Sequence, residues 1–339
     1  MGLFDKLFSG KTQSSNPVDT RHSNGPTPDI PPFQGDYAKA VFLWANAKAT
    51  PVKPDDEYVI YLLYECGIRS ASKYHREMIK EGLLQESPLA DRVAALTASE
   101  IKEILSSLGL SVTGKKEVLV QRLLDAMSES DAKKYFPQQT YSISDSGTVF
   151  LKANEPYVQL HKHRNWGISW QEYDANTRKG MGFYDTVWGI FNKRIMKDSD
   201  FGRNTHLCMF QLLEEEGRYK DALVMIMRVL YIDLSGVAGL QYLNLYKSGV
   251  YKQKDILDSF DISIMLAPGI IQPIAKYKSE YTDDIIPLLY QQKLPINVCD
   301  QKLFTAIVLS IMDGSYDDAK ATAQLKAAYN KTFRALMTK

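Results

Sequence analysis

The chain has 339 residues, more than one hydrophobic core usually serves, so two or three domains are expected. Its 45% hydrophobic and 24% charged residues are ordinary for a globular protein, and a formal charge of +1 removes any broad electrostatic pull on nucleic acid, leaving only a local site for such binding. The longest apolar runs, such as Val41 to Trp44 and Leu223 to Met227, are soon interrupted by polar residues, which predicts a soluble chain without integral membrane association.

Leu3, Phe4, Leu7 and Phe8 stand at helical spacing, but no signal-peptide core follows them, and Lys6 occupies the position where a myristoylation pattern needs Ser or Thr. Two such turns bury too little to anchor alone. Residues 9 to 35 are rich in Ser, Asn, Pro and Gly, so 1–35 reads as a flexible tail. Residues 36–91 read as a small helical region. Ala40, Val41, Leu43 and Trp44 mark a helix that stops before Pro51, and Tyr58, Ile60, Tyr61, Leu62 and Tyr64 mark a second, ended by Gly67. Ser72 is suited to cap a third with Tyr74, Met78 and Ile79 inward, and Gly82 closes it. Tyr74-His75-Arg76 reads as a packing and capping unit.

Residues 92–135 carry the densest local signals. Thr97 and Glu100 have capping-box spacing, and Ile101, Ile104, Leu105 and Leu108 follow as one apolar stripe. Gly109 ends that helix in the left-handed region and Leu110 folds back beneath it. Ser111 or Thr113 is expected to cap a second helix, whose stripe is Val120, Leu123, Leu124 and Met127, joined by Leu119.

Over 96–124 this stretch resembles the SAP domain, a helix–extended-turn–helix module of nucleic-acid-binding proteins. The likeness rests on Leu96, Ile101 and Leu105, on Gly109-Leu110 at the bend, on Gly114-Lys115-Lys116 opening the second helix, and on Leu119, Arg122 and Leu123 within it. The resemblance implies nucleic-acid binding, with DNA favoured over RNA. The residues suggest how: free amides from Gly114 to Lys116 receive a phosphate, Lys115 and Lys116 add charge, Arg122 adds a second phosphate contact, and Lys102 is a weaker candidate. Phosphate-backbone contact, without sequence specificity, is the expected mode. The opposing reading is a solvated surface, because Glu100, Glu103, Glu117 and Asp125 balance these cations.

At 138–165 the period changes. Tyr141 and Ile143, then Asp145-Ser146-Gly147, then Val149 and Leu151 read as a short β-hairpin, with Val158 and Leu160 offering a third strand. Residues 166–339 read as an α-helical domain, so the expected fold is mainly α: a SAP helix–turn–helix module, a short β-hairpin and a C-terminal helical array. Within that array, residues 217–222 and 314–319 share the form Gly-x-Tyr-x-Asp-Ala, resembling the turn of a tetratricopeptide helix pair, and predict two antiparallel pairs.

Other constellations are weaker. Aromatics and cations interleave from Tyr157 to Arg203, which reads more readily as a helical core with a wet side than as a base-stacking surface. His161 and His163 would share one face of a strand, with His206 and Cys208 near enough in type to complete a metal site, yet no Cys-x-x-Cys pair supports one. Cys66, Cys208 and Cys299 read as reduced thiols in a cytoplasm. No nucleophile, base or phosphate loop is recognisable, so a non-catalytic protein without metal or cofactor is expected. The alternative is a protein-interaction scaffold, with partner or self-association contacts on the C-terminal helices. The architecture and the opening residues suggest a bacterial or phage chain.

Overall fold

A computed structural model describes residues 29–128, 134–195, 197 and 201–338, and the chain divides into two compact units, 1–158 and 159–339. The apolar start and most of the expected tail lie outside the described residues.

In the first unit, helix α1 (Gly35–Ala45) buries Ala38, Ala40, Val41, Phe42 and Leu43. Helix α2 (Tyr61–Tyr64) is a single turn, and α3 (Ala71–Lys80) buries His75 and Met78. The cap of α3 is Ser70, whose hydroxyl accepts from the Lys73 amide, rather than Ser72 as expected. The Ser72 amide instead donates to Asp55, so the start of α3 is pinned to the preceding loop. Phe42, Tyr58, Tyr74 and His75 form an aromatic cluster where α1 and α3 meet.

Strand β1 (Leu84–Glu86) follows, and its antiparallel partner β2 (Tyr141–Ile143) comes only after a stretch that includes three helices lying wholly within the described residues. These are α4 (Leu89–Ala95), α5 (Ala98–Ser107) and α6 (Lys116–Ala126). The register pairs Leu84 with Ile143 and Glu86 with Tyr141, and Ser87 N–H extends the ladder to the Thr140 carbonyl. The two ends of the intervening helical module are therefore held side by side.

This pairing corrects the expected hairpin. Tyr141 and Ile143 are in a strand, but Asp145–Ala153 is a helix, α7. Ser144 caps it by accepting from the Gly147 amide, a local signal that overrides the apparent alternation of Val149 and Leu151. Val149 is 70% exposed, so no buried β face exists there. Gly147 serves close approach rather than a turn: a Cβ at that position would overlap the Leu83 carbonyl oxygen. Val158 and Leu160 lie in helix α8 (Glu155–Lys162), not in a third strand.

The second unit is helical. Helices α9 (Trp170–Asn176) and α10 (Phe183–Ile195) pack together, and α10 also packs on α11 (Arg203–Glu215). Helix α12 (Tyr219–Ser235) is the centre of the core and buries Ala222, Leu223, Ile226, Met227, Val229 and Leu230. By length and composition Tyr219–Lys247 is apolar enough to cross a membrane, contrary to the sequence expectation. That stretch is broken at Gly236, which takes φ +78°, and Asp233 within it pairs with Arg203 at 2.7 Å; the segment packs as a core helix with 67% of its apolar window buried.

Gly217, at φ +72°, makes the tight turn of the first expected helix pair, and α11 packs closely along α12. The second copy behaves differently. Helix α18 (Gln301–Asp313) ends at Gly314, but the next helix, α19 (Asp318–Met337), starts two positions later in the motif because Asp317 caps it through the Lys320 amide. Helix α19 then packs on α13 (Gly239–Lys247) and α14 (Gln253–Asp258); after the single turn α15 (Ile262–Met265) come α16 (Pro268–Lys276) and α17 (Ile285–Gln291), on which α18 packs.

Candidate nucleic-acid interface

The module between β1 and β2 has its own core. Leu89, Val93, Ile101, Leu105, Leu119, Leu123 and Met127 are buried together, flanked by Leu96, Ile104, Leu110, Val120 and Leu124. Every apolar position read from the two amphipathic stripes contributes except Leu108, which is 37% exposed. Helix α4, which the two-helix pattern did not include, supplies Leu89 and Val93 and packs against α6.

Local chemistry fixes the ends of α5. The Thr97 hydroxyl accepts from the Glu100 amide, and the Glu100 carboxylate accepts from Thr97 N–H at 2.7 Å, so the capping box is complete. The Thr97 hydrogen bonds, backbone first, hold the exposed Glu100 carboxyl below its ordinary value. At the other end Leu110 N–H donates to Leu105 and Gly109 N–H to Ser106, the paired bonds of a left-handed helix stop, with Gly109 at φ +70°.

The extended turn Ser111–Lys115 leads into α6. Neither Ser111 nor Thr113 caps that helix; their hydroxyls bond each other at 2.9 Å, and Lys115 occupies the cap position without a side-chain bond. The amides of Lys115, Lys116 and Glu117 find no acceptor among the described residues, whereas those of Val118 and Leu119 bond the Lys115 carbonyl. Gly114, at φ +132°, lets the chain enter the helix with these N–H groups outward, and the whole turn from Ser111 to Val118 is exposed.

The cations divide into two groups. The Lys115 and Lys102 side chains are exposed and have no partner among the described residues. Lys116, by contrast, donates to the Ala94 carbonyl at the end of α4, at 3.0 Å. Arg122 is half-buried and donates Nη1 to the carbonyls of Ser111 and Thr113, at 2.6 and 3.0 Å. It braces the turn through Nη1, while Nε and Nη2 have no partner among the described residues. The sequence could not show this, because the acceptors are main-chain oxygens positioned by the fold.

The geometry is thus a short helical module with a capped first helix, a glycine-bent turn and acceptor-free amides beside a lysine. Residues 92–128 match the family model of the SAP domain, and the remainder of the chain has no family assignment. The SAP domain points to nucleic-acid binding in general. No curated protein and no solved structure matches the chain.

The other sequence candidates are placed by the fold as structural groups. His163 stacks on the buried Trp166 with centroids 4.0 Å apart and faces Glu215 at 3.3 Å. His206 is buried and its Nδ1 contacts the Gly202 carbonyl. The strand that would align His161 with His163 is the end of α8, so the two imidazoles do not share a face. Tyr173 is buried, and Arg194 is held by Glu172 and by the carbonyls of Trp166 and Gly167. Burial pushes the Cys66 and Cys299 thiols up to about 12, and all three cysteines are free of disulfides.

Proposed function

We propose that this chain binds DNA through its SAP domain by gripping the phosphate backbone at the turn that opens α6. The observation that carries this reading is the row of acceptor-free amides from Lys115 to Glu117, beside the unpaired Lys115 ammonium. Helix-start amides carry partial positive charge and suit a phosphate oxygen. Gly114 lets the backbone approach, and Arg122 holds the turn open from below. Lys116 adds its field from its seat on the Ala94 carbonyl, and Lys102 lies on the adjoining helix.

So few contacts give weak, salt-sensitive binding, with a dissociation constant of about 10⁻⁴ to 10⁻⁶ M at physiological salt and no base reading. In this reading the protein acts by binding and performs no chemistry, in a reducing, cytoplasmic setting that suits cysteines without disulfides. Gel shift of a 20-base-pair duplex at low salt tests it. Lys115→Glu with Lys116→Glu removes the shift while the melting temperature holds; an undiminished shift in that double variant overturns the proposal.

A further inference from the structure

The first unit contains a second feature of interest, a cleft of about 470 Å³ lined by Val52, Arg76, Ile79, Gln138, Gln139 and Tyr141. It lies where the chain leaves the SAP domain, because Gln138 and Gln139 lead directly into β2. Its chemistry is mixed: a guanidinium, two primary amides and an aromatic ring share the lining with two aliphatic side chains.

Arg76 is exposed, and among the described residues its hydrogen bond is a long one, 3.4 Å from Nη1 to the Ser72 carbonyl. No carboxylate among the described residues lies within ion-pair distance of it. Asp55, the acid whose charge is felt by Arg76, already accepts from the Ser70 hydroxyl and the Ser72 amide. Lys53 adds a second positive charge to the same neighbourhood, since it and Arg76 both act on buried His75. Tyr141 is anchored on two sides. It exchanges both backbone bonds with Thr50, and its ring meets His75 edge-on with centroids 5.8 Å apart.

We infer that this cleft receives one unpaired nucleotide of a nucleic-acid strand, its phosphate on Arg76, its base against Tyr141 and its polar edge on Gln138 and Gln139. The inference rests on the SAP domain as the primary nucleic-acid contact and extends that surface. Amides both donate and accept, so the pocket tolerates any base; an aromatic wall and a cation together are the recurring means of holding single-stranded nucleic acid. Such a site makes the protein favour duplexes with an unpaired flank over blunt ones.

The experiment measures fluorescence anisotropy of the full chain at low salt on two probes, a blunt 20-base-pair duplex and the same duplex with a six-nucleotide unpaired 3′ flank. The flanked probe is expected to bind about fivefold more tightly. Arg76→Glu, and separately Gln139→Ala, both at exposed positions, should bring it to the blunt level without changing blunt binding or melting temperature. Equal affinity of the wild type for both probes, or a preference that survives both substitutions, overturns the inference. Lys115→Glu reports independently on the SAP reading, because it should weaken both probes alike. If it changes neither probe while the flank preference disappears with Arg76→Glu, the SAP reading falls and the cleft stands. A free nucleoside monophosphate that binds the cleft more tightly than the flanked probe would make this a small-molecule site and overturn the assignment to a strand.

Discussion

The Ser142 hydroxyl donates a 2.9 Å hydrogen bond to the Ser87 hydroxyl, in a buried position, across 55 residues of sequence. Ser142 also accepts from the Ala49 amide at 3.1 Å. These bonds lie beside the β1–β2 pair and fasten the two ends of the SAP domain to each other and to the loop after α1. The domain is thus attached at both ends rather than strung on a linker.

Ser142→Ala leaves the Ser87 hydroxyl and the Ala49 amide short of a partner, and burial makes that loss expensive. A destabilisation of about 2 kcal/mol is expected from denaturant unfolding, since orphaned buried groups cost about 1–3 kcal/mol each. Amide exchange should quicken at Ser87 and Tyr141 in the same variant. Unchanged exchange there would show that the serine pair does not fasten the module.

Gly147→Ala places a methyl group against the Leu83 carbonyl, a backbone atom that cannot swing aside. The loss should exceed the usual glycine-to-alanine helix preference of about 1 kcal/mol and reverse its sign, giving a net destabilisation of about 3 kcal/mol or more. Thermal unfolding checks it. A variant as stable as the parent would mean that α7 does not press on the Leu83 turn.

Arg122→Gln separates a brace from a phosphate contact. A residue that neutralises a phosphate contributes about 0.9 to the slope of log affinity against log salt. As a brace Arg122 acts through Nη1 on Ser111 and Thr113, so in that role the variant should lose affinity about three- to tenfold with the salt slope unchanged. Lys115→Gln should instead reduce the slope. Anisotropy titrations at several salt concentrations distinguish the two.

His75 makes stability depend on pH. Burial first, then the charges of Arg76 and Lys53, lower its pKa from 6.5 to about 4, and its Nδ1 meets the Tyr58 hydroxyl at 2.8 Å. Above pH 6.5 the imidazole is neutral in both folded and unfolded chains. Between 6.5 and about 4 only the unfolded chain binds the proton, so stability falls as pH falls across that window, and the loss levels off below it. The depressed pKa corresponds to about 2 kcal/mol after allowance for screening by solvent. His75→Gln should flatten this part of the curve when urea midpoints are compared at pH 7 and pH 4.5.

The SAP domain was legible because its signals are local. Thr97 and Glu100 are three residues apart, Gly109 sits one step past the helix it stops, and the apolar stripes recur within one or two turns. Each works through neighbours in sequence, so spacing alone determines it. The same holds for the turn at Gly217.

What only the tertiary structure decided is long-range or carried by main-chain atoms. Two three-residue strands, 84–86 and 141–143, are too short to announce a partner, and their pairing depends on closure of a loop containing a folded domain. Sequence identified Arg122 and Lys116 as cations, but carbonyls of Ser111, Thr113 and Ala94 determine where their charge is used. Residue types set which interactions are available; the fold sets which polar atoms lie within 3 Å, and that distance separates a brace from a contact for a partner.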